Sequence, residues 1–307
     1  FMGISYMLFA VFLMVCLDVV AKILLKNYPV MQVTFLRGGI SLLIIGGAGY
    51  LARGKDGFKT QYWKWHILRT VLMTISSITF FVALSLIPLV NCMVIVFISP
   101  IIMTALSGPF LGEVVGKWRW SAVLIGFVGI LLILQPTAGF IDPGTIYAFI
   151  AVVTYALFSL TSRKLANKET TYNLSFYMFI GPTLVGGVGS SMSWVTPTAE
   201  AWILFIVCGV LGGAGFIFFN LAFQKAEASL LASFEYTGLI WASIAGYYLF
   251  AETIDANIWL GASIIIIGGL IIVLRESGRL KSIAVSYTHL RAHETDSYLV
   301  CRLLLEK

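Results

Sequence analysis

Along this chain the apolar positions do not alternate with polar ones or form one helical stripe; they run together for about 20 residues at a time, the length that carries a helix across a ~30 Å hydrocarbon core. Short segments rich in charge, Pro and Gly separate the runs. The pattern predicts helices near 3–25, 29–51, 66–86, 89–111, 119–135, 143–163, 172–193, 200–222, 229–250 and 258–275. Because the linkers are short, no soluble domain is predicted, and any chemistry must take place among the helices.

Composition sharpens the picture. Of 307 residues, 59% are hydrophobic and only 11% charged, where a soluble domain carries about 25% charged residues, and the mean hydropathy is +0.95. The expectation is an all-α, polytopic membrane protein with the lipid bilayer as its main partner. The net charge of +6 does not point to nucleic acid, since the basic residues lie between apolar runs and form no stripe interleaved with aromatics. With the N-terminus in the cytoplasm, one side of the membrane receives Arg53, Lys55, Lys59, Lys64, Lys117, Arg119, Arg163, Lys164, Lys168, Lys225, Arg275, Arg279 and Lys281, and the other only Lys22 and Lys26. That asymmetry obeys the positive-inside rule and predicts ten spans in the inner membrane, with both termini cytoplasmic. Cys16, Cys92 and Cys208 lie within apolar runs and Cys301 in the tail, which gives neither a disulfide framework nor a metal spacing, so no metal or cofactor is expected. No cleavable signal peptide is evident. The first span is expected to act as its own insertion signal, and Phe1 in place of Met suggests a trimmed start.

A shift of 139 residues sets Ala83 on Ala222, Glu113 on Glu252, Trp120 on Trp259 and Gly129 on Gly268, and the start of the first helix on that of the sixth. Five helices per copy is an odd number, so the second copy must enter the membrane upside down. The prediction is two inverted repeats, residues 3–135 and 142–275, the arrangement by which many secondary transporters build two related gates around a midplane site.

Several polar residues interrupt the apolar runs. Asp18 and Lys22 are one turn apart on a single helix face, about 6 Å along the axis. Arg37, after a tight connection at Pro29, returns to similar depth. Unpaired charges there are costly, so these groups should face one another or a watery cavity. Two readings follow: a structural ion pair, or a cationic site for an anionic or carboxylate-bearing substrate with Arg37 as the main contact. Lys22 has the alternative of snorkelling outward, as Lys26 does. Glu235, in "SFEYTGLIWAS", is a lone carboxylate able to exchange a proton as it is exposed to each side in turn, or a hydrogen-bonding strut. Tyr155, Asn220, Tyr236 and Trp241 suit a planar or heterocyclic solute, or ordinary packing. Under the shift Asp18 falls on Leu157, Lys22 on Thr161, Arg37 on Phe176 and Glu235 on Val96. None of the four charges is duplicated, which favours a role in substrate binding or coupling over one in the scaffold. Gly108, Gly112 and Gly116 form a small-residue stripe expected to pack helix 4 closely within a monomer, a homodimer being the less favoured use. Glu113 and Glu252 are expected to be caps or loop anchors.

These features together resemble the EamA group of the drug/metabolite transporter superfamily. The resemblance rests on "DVVAKILLKNYPVMQVTFLRG", on "ALSLIPL" and "SPIIMTALSGPFLGE" followed by "WSAVLIGFVGILLILQP", and on "AFQKAEASLLASFEYTGLIWASIAGYYLFAETID" followed by "GASIIIIGGLIIVLRE". It implies ten helices in two inverted five-helix repeats that carry small metabolites across bacterial inner membranes or organelle membranes. Within the group, "FEYTGLIWA" and "YPVMQVTFLRG" resemble the branch that includes riboflavin and S-adenosylmethionine carriers. That branch often has a Pro before Phe-Glu-Tyr; this chain has Ser233, which removes the usual cause of a helix break at that point. Residues 282–307 change character and read either as an amphipathic cytoplasmic tail or, the favoured reading, as foreign sequence resembling a translated linker, and they are set aside from function.

The leading functional expectation is a secondary transporter moving a small polar, anionic or heterocyclic metabolite by alternating access. No nucleotide-binding P-loop is present. An integral membrane enzyme is the first alternative, weakened because His66 is the only histidine before the tail. A receptor or assembly subunit is the second.

Overall fold

The computed structural model describes residues 2–96, 98–134 and 142–251, together with Leu260, Ser263, Ile264 and Ile267. The last span predicted from sequence, Glu252, Trp259 and the polar tail at 282–307 fall almost wholly outside the described residues. Among the described residues eleven α-helices follow in order: α1 (Met2–Leu25), α2 (Val30–Arg53), α3 (Trp63–Leu86), α4 (Leu89–Val96), α5 (Ser99–Leu111), α6 (Lys117–Leu134), α7 (Pro143–Leu165), α8 (Thr171–Ser190), α9 (Ala199–Lys225), α10 (Ala228–Glu235) and α11 (Gly238–Phe250). No strand occurs among the described residues. Among the described residues five helices, α1, α2, α3, α7 and α9, are long and apolar enough to cross a membrane.

Local chemistry sets the helix ends. Asp142, Thr170 and Thr198 cap α7, α8 and α9, accepting from the amides of Gly144 (3.1 Å), Asn173 (3.1 Å) and Ala201 (3.2 Å). At the end of α5, Gly112 takes a left-handed φ of 73° and returns its amide to Gly108, a conformation open to glycine because it has no Cβ. The glycine stripe therefore does not pack helices together as expected from the sequence. Gly112 and Gly116 lie beyond the helix, and a Cβ at either would meet nothing within 4 Å.

The two halves are related by the 139-residue shift, which carries α4 onto α10 and α5 onto α11 with identical bounds. Packing obeys the same relation: α1 lies along α9 as α7 lies along α3, and α2 contacts α9 as α8 contacts α3. Helices α2 and α8, which correspond under the shift, pack against each other. A Cβ on Gly38 would come 2.8 Å from Thr183 Oγ1, and one on Gly186 would come 2.8 Å from the Phe35 amide nitrogen. Gly49 near the end of α2 meets Tyr172 at the start of α8, while Gly189 at the end of α8 meets Met31 at the start of α2. This corresponding pair thus runs antiparallel.

Two spans read as continuous from the sequence, 89–111 and 229–250, are each broken into two helices. The same bonds shorten both breaks to i→i+3 spacing: Ile98 to Ile95 (3.0 Å) and Ile101 to Ile98 (3.1 Å) in one, Thr237 to Phe234 (3.2 Å) and Ile240 to Thr237 (3.1 Å) in the other. The second break forms without a proline at position 233.

Candidate functional site

The breaks border a central cavity of about 140 Å³. Its polar lining comes from five helices: Asp18 on α1, Arg37 on α2, Ser76 and Ser77 on α3, Tyr155 on α7 and Glu235 at the end of α10. Apolar walls include Met14, Met73, Phe81, Met93 and Phe216.

Arg37 is 2% exposed. Its Nη2 donates to Ser77 Oγ at 2.7 Å, and its guanidinium lies over the rings of Phe81 and Phe179, 5.1 and 5.7 Å from their centroids. Its Nε has no hydrogen-bond partner among the described residues. Asp18, 9% exposed, lines the same cavity within electrostatic reach of Arg37. The two form no direct ion pair among the described residues, which removes the simple structural salt bridge from the readings open at the sequence level.

Glu235 accepts from Ser99 Oγ at 3.1 Å through Oε2. Its Oε1 is buried without a hydrogen bond of normal geometry, although the Tyr155 hydroxyl lies within interaction range. Ser99 opens α5 and Glu235 closes α10, so the carboxyl group lies between the N-terminal end of one helix and the C-terminal end of another. The Ser99–Glu235 bond also ties the two breaks together across the halves.

The other expected site residues lie elsewhere. Lys22 donates to the Ile87 carbonyl at 3.3 Å and rests over Phe250, 5.3 Å away; its long stem reaches past the cavity. The patch of Asp18, Lys22 and Arg37 therefore is not assembled, and the cavity presents two carboxyl groups to one guanidinium. The Tyr236 hydroxyl donates to the Val123 carbonyl at 3.3 Å. Trp241 is 41% exposed and meets Phe12 edge-on at 5.0 Å on the outer surface.

Asn220 belongs to a second polar cluster, centred on Arg69, which the sequence reading overlooked. Arg69 is fully buried. It donates to the Leu174 carbonyl (3.2 Å), Ser162 Oγ (2.9 Å) and Asn220 Oδ1 (3.5 Å), while Asn220 donates to Ser175 Oγ at 3.0 Å. One signal was available: an arginine one turn beyond His66, at the start of an apolar run.

Glu113 is an anchor, as expected, but it acts across the halves. It accepts from the Ala228 amide (3.0 Å) and the Ser229 amide (3.2 Å) at the start of α10, and from Arg163 Nε (3.1 Å). Arg119 pairs with Glu227 beside it. At the opposite face, Gln32 clamps the backbone of Val195, donating to its carbonyl at 2.6 Å and accepting from its amide at 2.9 Å.

A sequence model of the EamA-like transporter family matches residues 1–135 and 142–274. The chain belongs to that family. It is a multi-pass membrane transporter, similar to an S-adenosylmethionine uptake transporter of Rickettsia felis (28% identical over 274 residues, 89% of this chain and 93% of the relative). It is also similar to a riboflavin transporter of Rhizobium johnstonii (27% identical over 255 residues, 82% and 83%). A crystal structure at 19% identity superposes with a TM-score of 0.75 over 89% of this chain and 96% of that one, which supports the same fold.

Proposed function

We propose that this EamA-family chain is a secondary transporter, not an enzyme. It carries a small polar metabolite through the inner membrane by alternating access around the Asp18–Arg37–Glu235 cavity, with both termini cytoplasmic. The observation that carries this reading is that cavity itself: charged side chains from both halves converge on it where two interrupted helices meet, the setting in which transporters hold solutes. Arg37 offers a fork for a carboxylate or phosphate, while Asp18 and Glu235 suit a cationic centre, and the Met and Phe walls accept a flat ring. A solute bearing both charges and a heterocycle, as S-adenosylmethionine does, matches this lining better than an uncharged flavin.

The test is uptake of labelled S-adenosylmethionine and riboflavin by proteoliposomes. Arg37→Lys keeps the charge but loses the planar fork, and should weaken uptake about 10- to 100-fold, the size of one charge-assisted hydrogen bond, with the thermal midpoint nearly unchanged. Normal uptake in that variant would remove Arg37 as the contact. Absence of flux of any solute with the native protein would count against transport altogether.

A further inference from the structure

Arg69 is buried as deeply as Arg37 and, like it, has an Nε without a hydrogen-bond partner among the described residues. Its hydrogen bonds all go to neutral groups. The nearby carboxylate, Glu169, is engaged instead by Thr60 and Asn173 and lies 3.6 Å from His66 Nε2. Arg69 therefore forms no ion pair among the described residues. Glu169 lies within electrostatic reach of Arg69 without pairing with it, and a buried guanidinium with no direct ion pair is expensive for a scaffold to keep.

Its location gives a reason to keep it. Three helices that line the cavity also carry the Arg69 cluster further along: Met73 and then Arg69 on α3, Phe216 and then Asn220 on α9, Tyr155 and then Ser162 on α7. The cluster lies between the cavity and the face that bears Arg53, Lys59 and Lys64. An aromatic layer separates the two arginines. Arg37 lies over Phe179; Phe179 meets Phe216 at 5.7 Å, Phe216 meets Phe158 at 6.1 Å, and Arg69 lies 5.1 Å over Phe158. The repeat relation points the same way. Under the 139-residue shift Arg69 corresponds to Cys208, the thiol within electrostatic reach of Arg37. Arg37 sits at the α2–α9 seam, against Gly209 and Gly212, and Arg69 at the α3–α8 seam through Leu174. These seams correspond under the shift, so each holds one arginine.

We infer that Arg69 is a second station for the anionic group of the solute, reached when the Phe158–Phe216–Phe179 layer parts, so that a carboxylate or phosphate passes from one buried guanidinium to the other. The inference rests on the transport reading above. Passage through a membrane favours several sites of moderate strength over a single tight one.

Phenylglyoxal labelling of arginines in oriented vesicles, read by peptide mass spectrometry, tests it without knowledge of the solute. Native Arg69 should react from the face bearing Arg53, and acetate, a minimal carboxylate, should slow that reaction several-fold. An Arg69 that stays inert while Arg53 reacts, or whose labelling is indifferent to acetate, is a static strut and overturns the inference. In counterflow of S-adenosylmethionine, Arg69→Gln should cut the rate about tenfold, the loss of one charge-assisted contact. Unchanged counterflow in a folded Arg69→Gln protein also overturns the inference, and where that variant does not fold the native labelling decides. Native protein without counterflow speaks against the transport reading, whereas labelling speaks to Arg69 alone.

Discussion

The two interrupted helices make an internal control. Their bounds coincide under the repeat shift, and the same shortened bonds cross both breaks. Both also end in a left-handed residue, Gly112 at φ 73° and Ala251 at φ 53°. Yet one break carries Val96 and Ser99 where the other carries Glu235 and Gly238. The break therefore belongs to the backbone design shared by both copies, and charge is not what makes it. One copy carries the carboxyl group, and the other supplies the hydroxyl that holds it.

Making the second break resemble the first tests this directly and should give the largest effect. Glu235→Val, which installs the residue found at the corresponding position, should preserve helicity and thermal unfolding. It should lower solute uptake about 100-fold, the loss of a strong charge-assisted contact. If uptake survives, the carboxylate is a strut. Removing only the cross-half donor is milder. Ser99→Ala should weaken apparent solute affinity about fivefold, equivalent to about 1 kcal/mol for one hydrogen bond, and a binding isotherm in detergent would register it. The smallest effect concerns the helix end. Ala251→Gly relieves a left-handed alanine and should raise stability by about 0.5–1 kcal/mol, visible as a higher unfolding midpoint. Gly112→Ala should lower it by a similar amount.

Much of this organisation was legible along the chain. Apolar runs located the helices because a membrane span must be apolar around most of its circumference, and the single offset of the repeat survived low residue identity. Asp18, Arg37, Tyr155 and Glu235 stood out because polar groups at such depth need a reason, and the structure brings all four to one cavity. The same physics hid the rest. When lipid-facing and core-facing sides are both apolar, the sequence does not reveal which way a side chain turns, so Trp241 on the outside looked equivalent to Tyr236 within. Arg69 lies one turn past His66 and close to Trp63, Lys64 and Trp65, and along the chain it belongs to that polar flank; only the folding of α7, α8 and α9 around it makes it interior. The second break escaped notice because i→i+3 tightening needs no proline and leaves the apolar run intact, while the first has Pro100 in the first turn of α5, a signal that the surrounding apolar run masked.

The aromatic layer between Arg37 and Arg69 has an electrical consequence. A carrier in an energised membrane is useless if protons slip through it between turnovers, since each charge crossing releases about 2.3 kcal/mol per 100 mV. Phe179, Phe216 and Phe158 offer no hydrogen-bonded chain along which a proton could hop, and a fixed positive charge stands at each end of the stack. The stack is expected to act as an insulator, and Phe216→Ala should show itself first as a collapse of the proton gradient in sealed vesicles.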